Sequence, residues 1–394
     1  VRSARTAALA LLTSAASLAV APAPLFALQF ALTLERVEGP QYAAQDVTVR
    51  LDPEAGLVVT IDSLAAAGAQ WKKLRLDCAR PQMGATRLRC DEAVIEADGK
   101  LPLSFSYDRG TGAFDATLRP AAGEHWRVQT KQGASRNETR AEIENGALVR
   151  LARWLPAGWP RPGGGRLQGT AAYDADAARG QARLQVSGLG FSDAKGLRAG
   201  EAVAAIIDLA LQRQGAAWSW RAALDWHDGE IFWQPVYLKA DGQKVLAAGR
   251  SEDGRTRVTQ AVLEWKALGG LRASGVWDQR AAAVLEADIE GERLALPLLY
   301  ERILKPFLQG TALDDLRTDG AISASVQLRA GEVHAADVRF DRVSLEDRAR
   351  RFALFNVNGR LPWHRREATT AEIAFDAGEL LRLPFGAARL PLRM

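Results

Sequence analysis

The chain has 394 residues, with 51 Lys and Arg against 47 Asp and Glu, and an apolar fraction of 47% that is ordinary for a folded protein. Charges of both signs alternate along it, with no basic block and no Lys/Arg–aromatic interleaving, which excludes a nucleic-acid footprint. The length admits two or three compact domains, or one elongated sheet.

At the N-terminus Arg2 and Arg5 precede an uncharged apolar stretch, residues 6–21, followed by Pro22, Pro24 and small residues. This order predicts a secretory signal over residues 1–27, cut after Ala21 or Ala27. The rival reading is an uncleaved inner-membrane anchor. Residues 7–21 as a helix would span about 22 Å, short of the ~30 Å hydrocarbon core. The expectation is therefore an exported, periplasmic protein.

Cys78 and Cys90 are the two cysteines. Leu74, Leu76 and Cys78 alternate, as do Leu88 and Cys90. With Gly84 at the turn centre, the cysteines fall opposite each other across a hairpin, within disulfide range. An oxidising compartment favours a structural bridge. A metal site lacks ligands, because His125, His227, His334 and His364 are far apart and none pairs with a cysteine at metal spacing.

Period two dominates the rest. Trp218, Trp220, Ala222, Leu224 and Trp226 form one row, with polar residues and alanine between them. Ile322, Ala324, Val326 and Leu328 repeat the pattern, and so do Phe355, Val357, Gly359, Leu361 and Trp363. Such alternation predicts strands with one apolar and one wet face. Asp108-Arg109-Gly110, Asn145-Gly146, Asp228-Gly229, Asp241-Gly242 and Asp253-Gly254 supply hairpin-turn signals. The expected fold is mainly β, a long antiparallel meander of close to twenty strands. Two segments break it with helical spacing: residues 145–155, ending at Pro156, and residues 295–312, where Pro306 ends or kinks the helix. Each precedes a strand of similar pattern (Gly165 to Gly169, Leu316 to Gly320), a weak internal repeat. Residues 159–165, rich in Gly and Pro, are the candidate boundary between an N-terminal β region (28–158) and a second meander region (159–394).

No catalytic motif stands out. G-x-S-x-G, G-x-x-x-x-G-K-[ST] and H-E-x-x-H are absent. Gly163-Gly164-Gly165 follows a helix and precedes a strand, the wrong order for an anion site at a helix N-terminus. The acid pairs Asp91-Glu92 and Asp314-Asp315 read as solvated turns. The expectation is a non-enzyme with no cofactor and no metal. Trp218, Trp220, Trp226, Trp233, Trp265 and Trp277 cluster within sixty residues. Two readings fit them: the core of a closed β-sandwich, or an open apolar face that binds a ligand.

The stretch from Leu296 to Arg365 resembles the AsmA-like, bridge-type proteins of the Gram-negative envelope, closest to their YdbH-like branch. The likeness is carried by the helix 296–308, the strand opening Leu316-Arg317-Thr318-Asp319-Gly320, the run Val338-Arg339-Phe340-Asp341 and the strand 352–363. The unit Leu151 to Leu155 followed by Gly165 to Gly169 is similar, as are the opening residues 32–51. The resemblance implies a curved, taco-like sheet whose apolar groove carries phospholipid acyl chains between inner and outer membranes, with membrane surface at its ends. It makes Trp218, Trp220, Leu224, Trp226, Trp233, Trp265, Trp277, Ile322, Val326 and Leu328 candidate groove residues. Relatives keep an inner-membrane anchor and continue for a further stretch of sheet. A terminal strand edge is a template that a small outer-membrane lipoprotein or a second β-protein would extend. The alternative is a structural or assembly factor for outer-membrane proteins.

Overall fold

The computed structural model describes residues 29–39, 42–52, 56–66, 69–97, 99–133, 136–155, 159–281 and 283–393. The expected signal over residues 1–27 lies outside the described residues. The protein is mainly β, an open antiparallel meander of 26 strands among the described residues. It divides into two compact units, one running to Trp159 and including Arg166–Ala178, the other holding Pro160–Gly165 and Arg179–Met394.

The first unit opens with β1 (Phe30–Gly39), β2 (Tyr42–Asp52), β3 (Gly56–Ala66) and β4 (Ala69–Cys78), then the short β5 (Gln82–Met83) and β6 (Arg87–Glu96). It continues through β7 (Lys100–Asp108), β8 (Ala113–Leu118), β9 (His125–Gly133) and β10 (Arg136–Ala147), a 3-10 helix (Leu148–Trp154) and β11 (Arg161–Asp174). Residues 161–165, expected as a linker, are thus the start of a strand. Val47, Val49, Leu57, Cys78, Cys90 and Phe105 are buried on one face. Cross-strand pairs on a common face stabilise a sheet, and here the pairs Leu32–Val49, Val49–Val59 and Val59–Leu76 run straight across β1 to β4.

The disulfide Cys78–Cys90 forms, with Cα atoms 6.2 Å apart, but its register differs from the expected one. Cys78 lies opposite Ala93, and a bulge between Cys90 and Ala93 brings Cys90 within reach. The bulge adds residues to one strand, and β5 pairs separately at the tip, so a symmetric hairpin centred on Gly84 does not arise.

The second unit carries β12 (Arg179–Ser192), β13 (Arg198–Gln214), β14 (Ala217–Trp233), β15 (Val236–Lys239), β16 (Gln243–Glu252), β17 (Arg255–Trp265), β18 (Gly269–Asp278) and β19 (Ala283–Ala295). A helical segment follows: α-helix Leu296–Leu299, a π turn Tyr300–Leu304 and a 3-10 turn Lys305–Phe307. Then come β20 (Leu316–Arg329), β21 (Glu332–Asp347), β22 (Phe352–His364), β23 (Thr370–Phe375), β24 (Ala377–Leu380), β25 (Leu383–Phe385) and β26 (Ala388–Arg393). The two expected helices are therefore shorter than their apolar spacing implied. Residues 145–147 stay in β10, and the second helix stops at Phe307, with Pro306 inside its last turn.

Two of the five expected turns are bulges instead. Asp228-Gly229 lies inside β14, and Asn145-Gly146 lies inside β10. A bulge residue in the left-handed region needs the same dipeptides that hairpin turns use; Gly229 has φ +90° and Asn145 φ +53°. The freed amide is satisfied locally, since Gly229 N–H donates to Asp228 Oδ1 at 2.8 Å. Gly320, at φ +91° in β20, repeats this with Asp319 Oδ1 at 2.8 Å.

Replacing both cysteines by serine, or reducing the bridge, is expected to lower the stability of the first unit by about 3 kcal/mol, the loop-closure value for so short a loop. Hydrogen exchange with and without reductant checks this: amides of β4 to β7 lose protection, and those of β14 to β22 keep it.

Candidate functional site

The candidate site is one face of the second unit. Because strand side chains alternate and directly opposed residues share a face, the pairing registers assign it. Ala182, Leu209, Ala222, Ala247 and Ala261 stand opposite one another in turn. The row continues through Ala273, Ile289, Val326, Ala336 and Trp363. A parallel row begins Leu184, Ile207, Leu224, Val245 and Leu263, and continues Leu271, Gly291, Ala324, Val338 and Leu361. Both cross ten strands from β12 to β22, with β15 off the line, and nine spacings of ~4.8 Å make about 43 Å. Apart from the Trp363 indole N–H, no side chain of either row carries a polar atom.

The opposite face is wet. Its matching row holds Arg183, Asp208, Arg272, Glu290, Ser325 and Asp337, completed by Ala223, exposed Leu246, Val262 and Pro362. Ion pairs bind neighbouring strands there: Arg183–Asp208 at 3.0 Å, Lys244–Asp225 at 3.2 Å and Arg329–Asp288 at 3.0 Å. Exposed pairs of this kind are worth ~0–1 kcal/mol each, so they set solubility and register more than stability.

The apolar rows are not sealed. Apart from buried Gly291 and exposed Trp363, every member is half-buried. A second sheet about 10 Å away would bury such residues almost fully. The closed-sandwich reading of the Trp cluster is therefore overturned.

Burial becomes complete at one margin. Trp265, Leu268, Leu294, Ile322, Val343 and Val357 cluster there with Leu296 and Leu299 of the helical segment. Tyr300 is buried beside them, its hydroxyl donating to Leu313 O at 2.8 Å and accepting from Leu316 N–H at 2.9 Å. Arg348 joins Glu301 and Asp315 at 3.6 and 3.5 Å, and Lys305 joins the same two at 3.2 and 3.6 Å. Asp347, 1% exposed, pairs with Arg351 at 2.7 Å. The Arg351 guanidinium holds the Asp347 carboxyl down at about 2, against the opposing effect of burial. In the first unit Glu124 plays the equivalent part. Burial raises its affinity for a proton, but donors from Arg150, the Ala147 amide and the Trp126 indole outweigh this and keep it below the usual range.

No protein-family model, no curated protein and no solved structure matches the chain.

The expected groove residues sort by position. Trp218, Trp220, Leu224, Val326 and Leu328 are half-buried on the apolar face. Trp226, Trp265 and Ile322 are buried toward the helical margin. Their indoles are partnered: Trp226 donates to Asp228 O at 2.8 Å and Trp265 to Asp241 Oδ2 at 3.4 Å. Trp277 is exposed at the far margin. Trp233 lies beyond the β14 bulge and is exposed, with the Arg198 guanidinium 4.7 Å from its ring centroid. Phe355 falls off its expected row, because Asn356 at φ +54° shifts the alternation and Leu354 points to the core instead. Sequence reasoning missed the alanines at the centre, Ala247, Ala261 and Ala273, because a single alanine marks neither face. It also missed Glu124 and Asp347, whose burial no periodic pattern announces.

Trp220 lies over Gly249, its directly opposed partner. A Cβ at Gly249 would sit 2.5 Å from the Trp220 ring and 2.4 Å from Arg257 O. Gly249→Val is expected to cost about 1–3 kcal/mol through overpacking, read as a lowered urea midpoint, while Ala248→Val on the wet face leaves it unchanged. Asp347 gives a second expectation. Its folded pKa lies below the unfolded value near 3.9, so its stabilisation is complete above about pH 4 and is lost as pH falls toward 2. The thermal midpoint of the native chain should drop across that window, and Asp347→Asn should start lower and drop less.

Proposed function

We propose that this protein carries phospholipid in the periplasm between inner and outer membranes, its acyl chains lying against the apolar rows of the second unit. The observation that carries this reading is the pair of unbroken apolar rows, ten strands long and half-buried. Each CH₂ moved from water onto such a surface contributes up to ~0.8 kcal/mol, so a chain laid against this face leaves a membrane without exposing its length. The face measures about 26 Å along β14 from Trp218 to Trp226 and ~43 Å across ten strands, and both exceed the ~15 Å that one leaflet occupies in a ~30 Å hydrocarbon core.

The rows also argue against an extended protein strand as the occupant, the case an assembly factor would require. Peptide N–H and C=O groups laid on them would meet no hydrogen-bonding side chain except the terminal Trp363 indole, at a cost of about 1–3 kcal/mol for each group left unpaired. An acyl chain has no such groups to leave unpaired. The disulfide is in keeping with an oxidising compartment, and the resemblance to the AsmA-like, YdbH-like proteins points the same way. A second β-protein or small lipoprotein extending a strand edge belongs to this proposal. Among the described residues no helix is long and apolar enough to cross a membrane.

Protein purified from the periplasm is expected to yield phospholipid on solvent extraction, identified by mass spectrometry. Val326→Glu and Leu263→Glu place a charge in the rows and should cut the lipid recovered by about tenfold, the effect of ~1.4 kcal/mol. Ser325→Glu, on the wet face of the same strand, should leave it unchanged. Lipid-free native protein, or equal recovery from all three variants, would sink the proposal.

A further inference from the structure

The apolar face of the second unit has two margins, where the strands turn, and they differ. At one, Leu296 and Leu299 of the helical segment pack on Trp265, Leu294 and Ile322. At the other the strands turn at Gly215, Gly254, Gly331 and residues 279–281 and 365–369, and the aromatic side chains stay open: Trp277 is 36% and Trp363 37% exposed.

Register places Arg213, Trp218, Ser251, Thr256 and Trp277 in one row along this open margin. It runs parallel to the apolar rows but its chemistry changes. The Arg213 guanidinium lies 6.0 Å from the Trp218 ring centroid, and the Ser251 and Thr256 hydroxyls are 3.0 Å apart. Gln279 also donates to Thr256 Oγ1, at 2.8 Å. Arg280 stands at the adjoining β18–β19 turn and Arg366 at the β22–β23 turn, four strands further along the same margin; neither enters an ion pair among the described residues. Asp278 is occupied by the Arg280 and Ala281 amides at 2.9 and 3.0 Å, and Glu252 and Glu332 by Arg250 and Arg365, which leaves Asp253 and Glu367 as the other carboxylates at these turns. Indoles have an apolar body and a polar edge and settle where apolar and wet surroundings meet; guanidinium is the side chain best matched to phosphate.

We propose that phospholipid passes onto the apolar rows across this open margin, its phosphodiester head group held at the Arg213–Trp277 row and its chain ends directed toward the helical segment. The proposal rests on the reading of the face as a lipid carrier and adds the orientation of the cargo. The distance permits it. From Trp218 to Trp226 along β14 is eight residues, about 26 Å at ~3.3 Å each, more than the ~15 Å depth of one leaflet. A chain anchored at the open margin therefore ends before the helical segment is reached.

The test uses the full chain incubated with vesicles of phosphatidylethanolamine and phosphatidylglycerol, doped with a phospholipid bearing a diazirine either in the head group or at the end of one acyl chain. After photolysis, the labelled peptides are mapped by mass spectrometry. The head-group probe is expected on segments 213–220, 251–257, 277–283 and 363–366, and the chain-end probe on the segments holding Leu224, Leu263 and Leu271. Head-group label concentrated on residues 296–307, or spread evenly over both margins, would overturn the orientation while leaving the carrier reading standing. No label on the face from either probe would remove the carrier reading itself. The combined variant Arg213→Gln, Arg280→Gln and Arg366→Gln should reduce capture of phosphatidylglycerol by about tenfold, as loss of a charge-assisted contact predicts, with capture of uncharged diacylglycerol unchanged. An equal fall for both lipids would mean that the arginines only support the fold, and would count against the head-group site.

Discussion

Everything in the second unit depends on register. A strand shows alternate residues to alternate faces, so a slip of one residue between two neighbours would move a whole apolar set into water. Ten strands keep their registers so consistently that Leu184 and Leu361 belong to the same row although nearly half the chain separates them. Several features hold that alignment. Short turns join consecutive strands, and charged pairs such as Arg183–Asp208 lock neighbours on the wet face. Aromatic rings also cover the glycines directly opposite them, as Trp220 covers Gly249 and Phe191 covers Gly200. The last arrangement both excludes water from an unshielded backbone and penalises a slipped register, because a Cβ would then occupy the place of the ring.

A face of this kind is stable only by compromise. Half-buried leucines and valines contribute part of the ~25 cal/mol per Å² that full burial would give, and the backbone ladders supply the remaining order. The fully buried clusters are confined to two places. One surrounds the disulfide in the first unit; the other lies beneath the helical segment in the second. The first helical segment is tied by a buried carboxylate, Glu124 with Arg150, and the second by Arg348 with Glu301, while buried Asp347 pairs with Arg351 at the β21–β22 turn. Removing one partner from such a pair leaves a buried charge without compensation. The similarity gives physical content to the weak internal repeat: in each unit a short helix is anchored by an ion pair and followed by a strand.

Much of this was legible in the sequence. Period-two runs such as Trp218 to Trp226 and Ile322 to Leu328 located strands and their apolar faces, because alternation is a direct consequence of strand geometry. The cysteine pair was legible too, as residues, and its register was not. A bulge changes the count of residues without leaving a signature that differs from a turn, so Asp228-Gly229 and Asn145-Gly146 were ambiguous by their chemistry. Alanine is equally silent. Ala247, Ala261 and Ala273 join Ala222 in the middle of the site only because three registers coincide, a long-range property that no local window contains. Asp347 and Glu124 belong to the same class: their burial is set by helices and loops that close over them.

The bulges explain why the two margins are unlike. Near the helical segment the ladder is interrupted between Glu201 and Ala204 in β13, Gly291 and Leu294 in β19, Asp319 and Ala321 in β20, and Phe340 and Val343 in β21. A bulge bends its strand and adds local twist, and each costs an amide its ladder partner. Here side chains replace those partners: Asp228 and Asp319 for the following glycines, Ser323 for the Arg293 amide at 3.0 Å, and Asn358 for the Arg342 amide at 2.9 Å. The bends come where the helix must seat, and they turn Leu294, Ile322 and Val343 under it. Toward the other margin the interruptions fall at different points, between Ala248 and Gly249 in β16, Val258 and Ala261 in β17, Val276 and Trp277 in β18, and Gln327 and Leu328 in β20. There they carry no helix. The sheet thus has one margin shaped to be covered and one left open, and the division is written in where Asp-Gly, Ser and Asn stand in the strands, not in the apolar pattern itself.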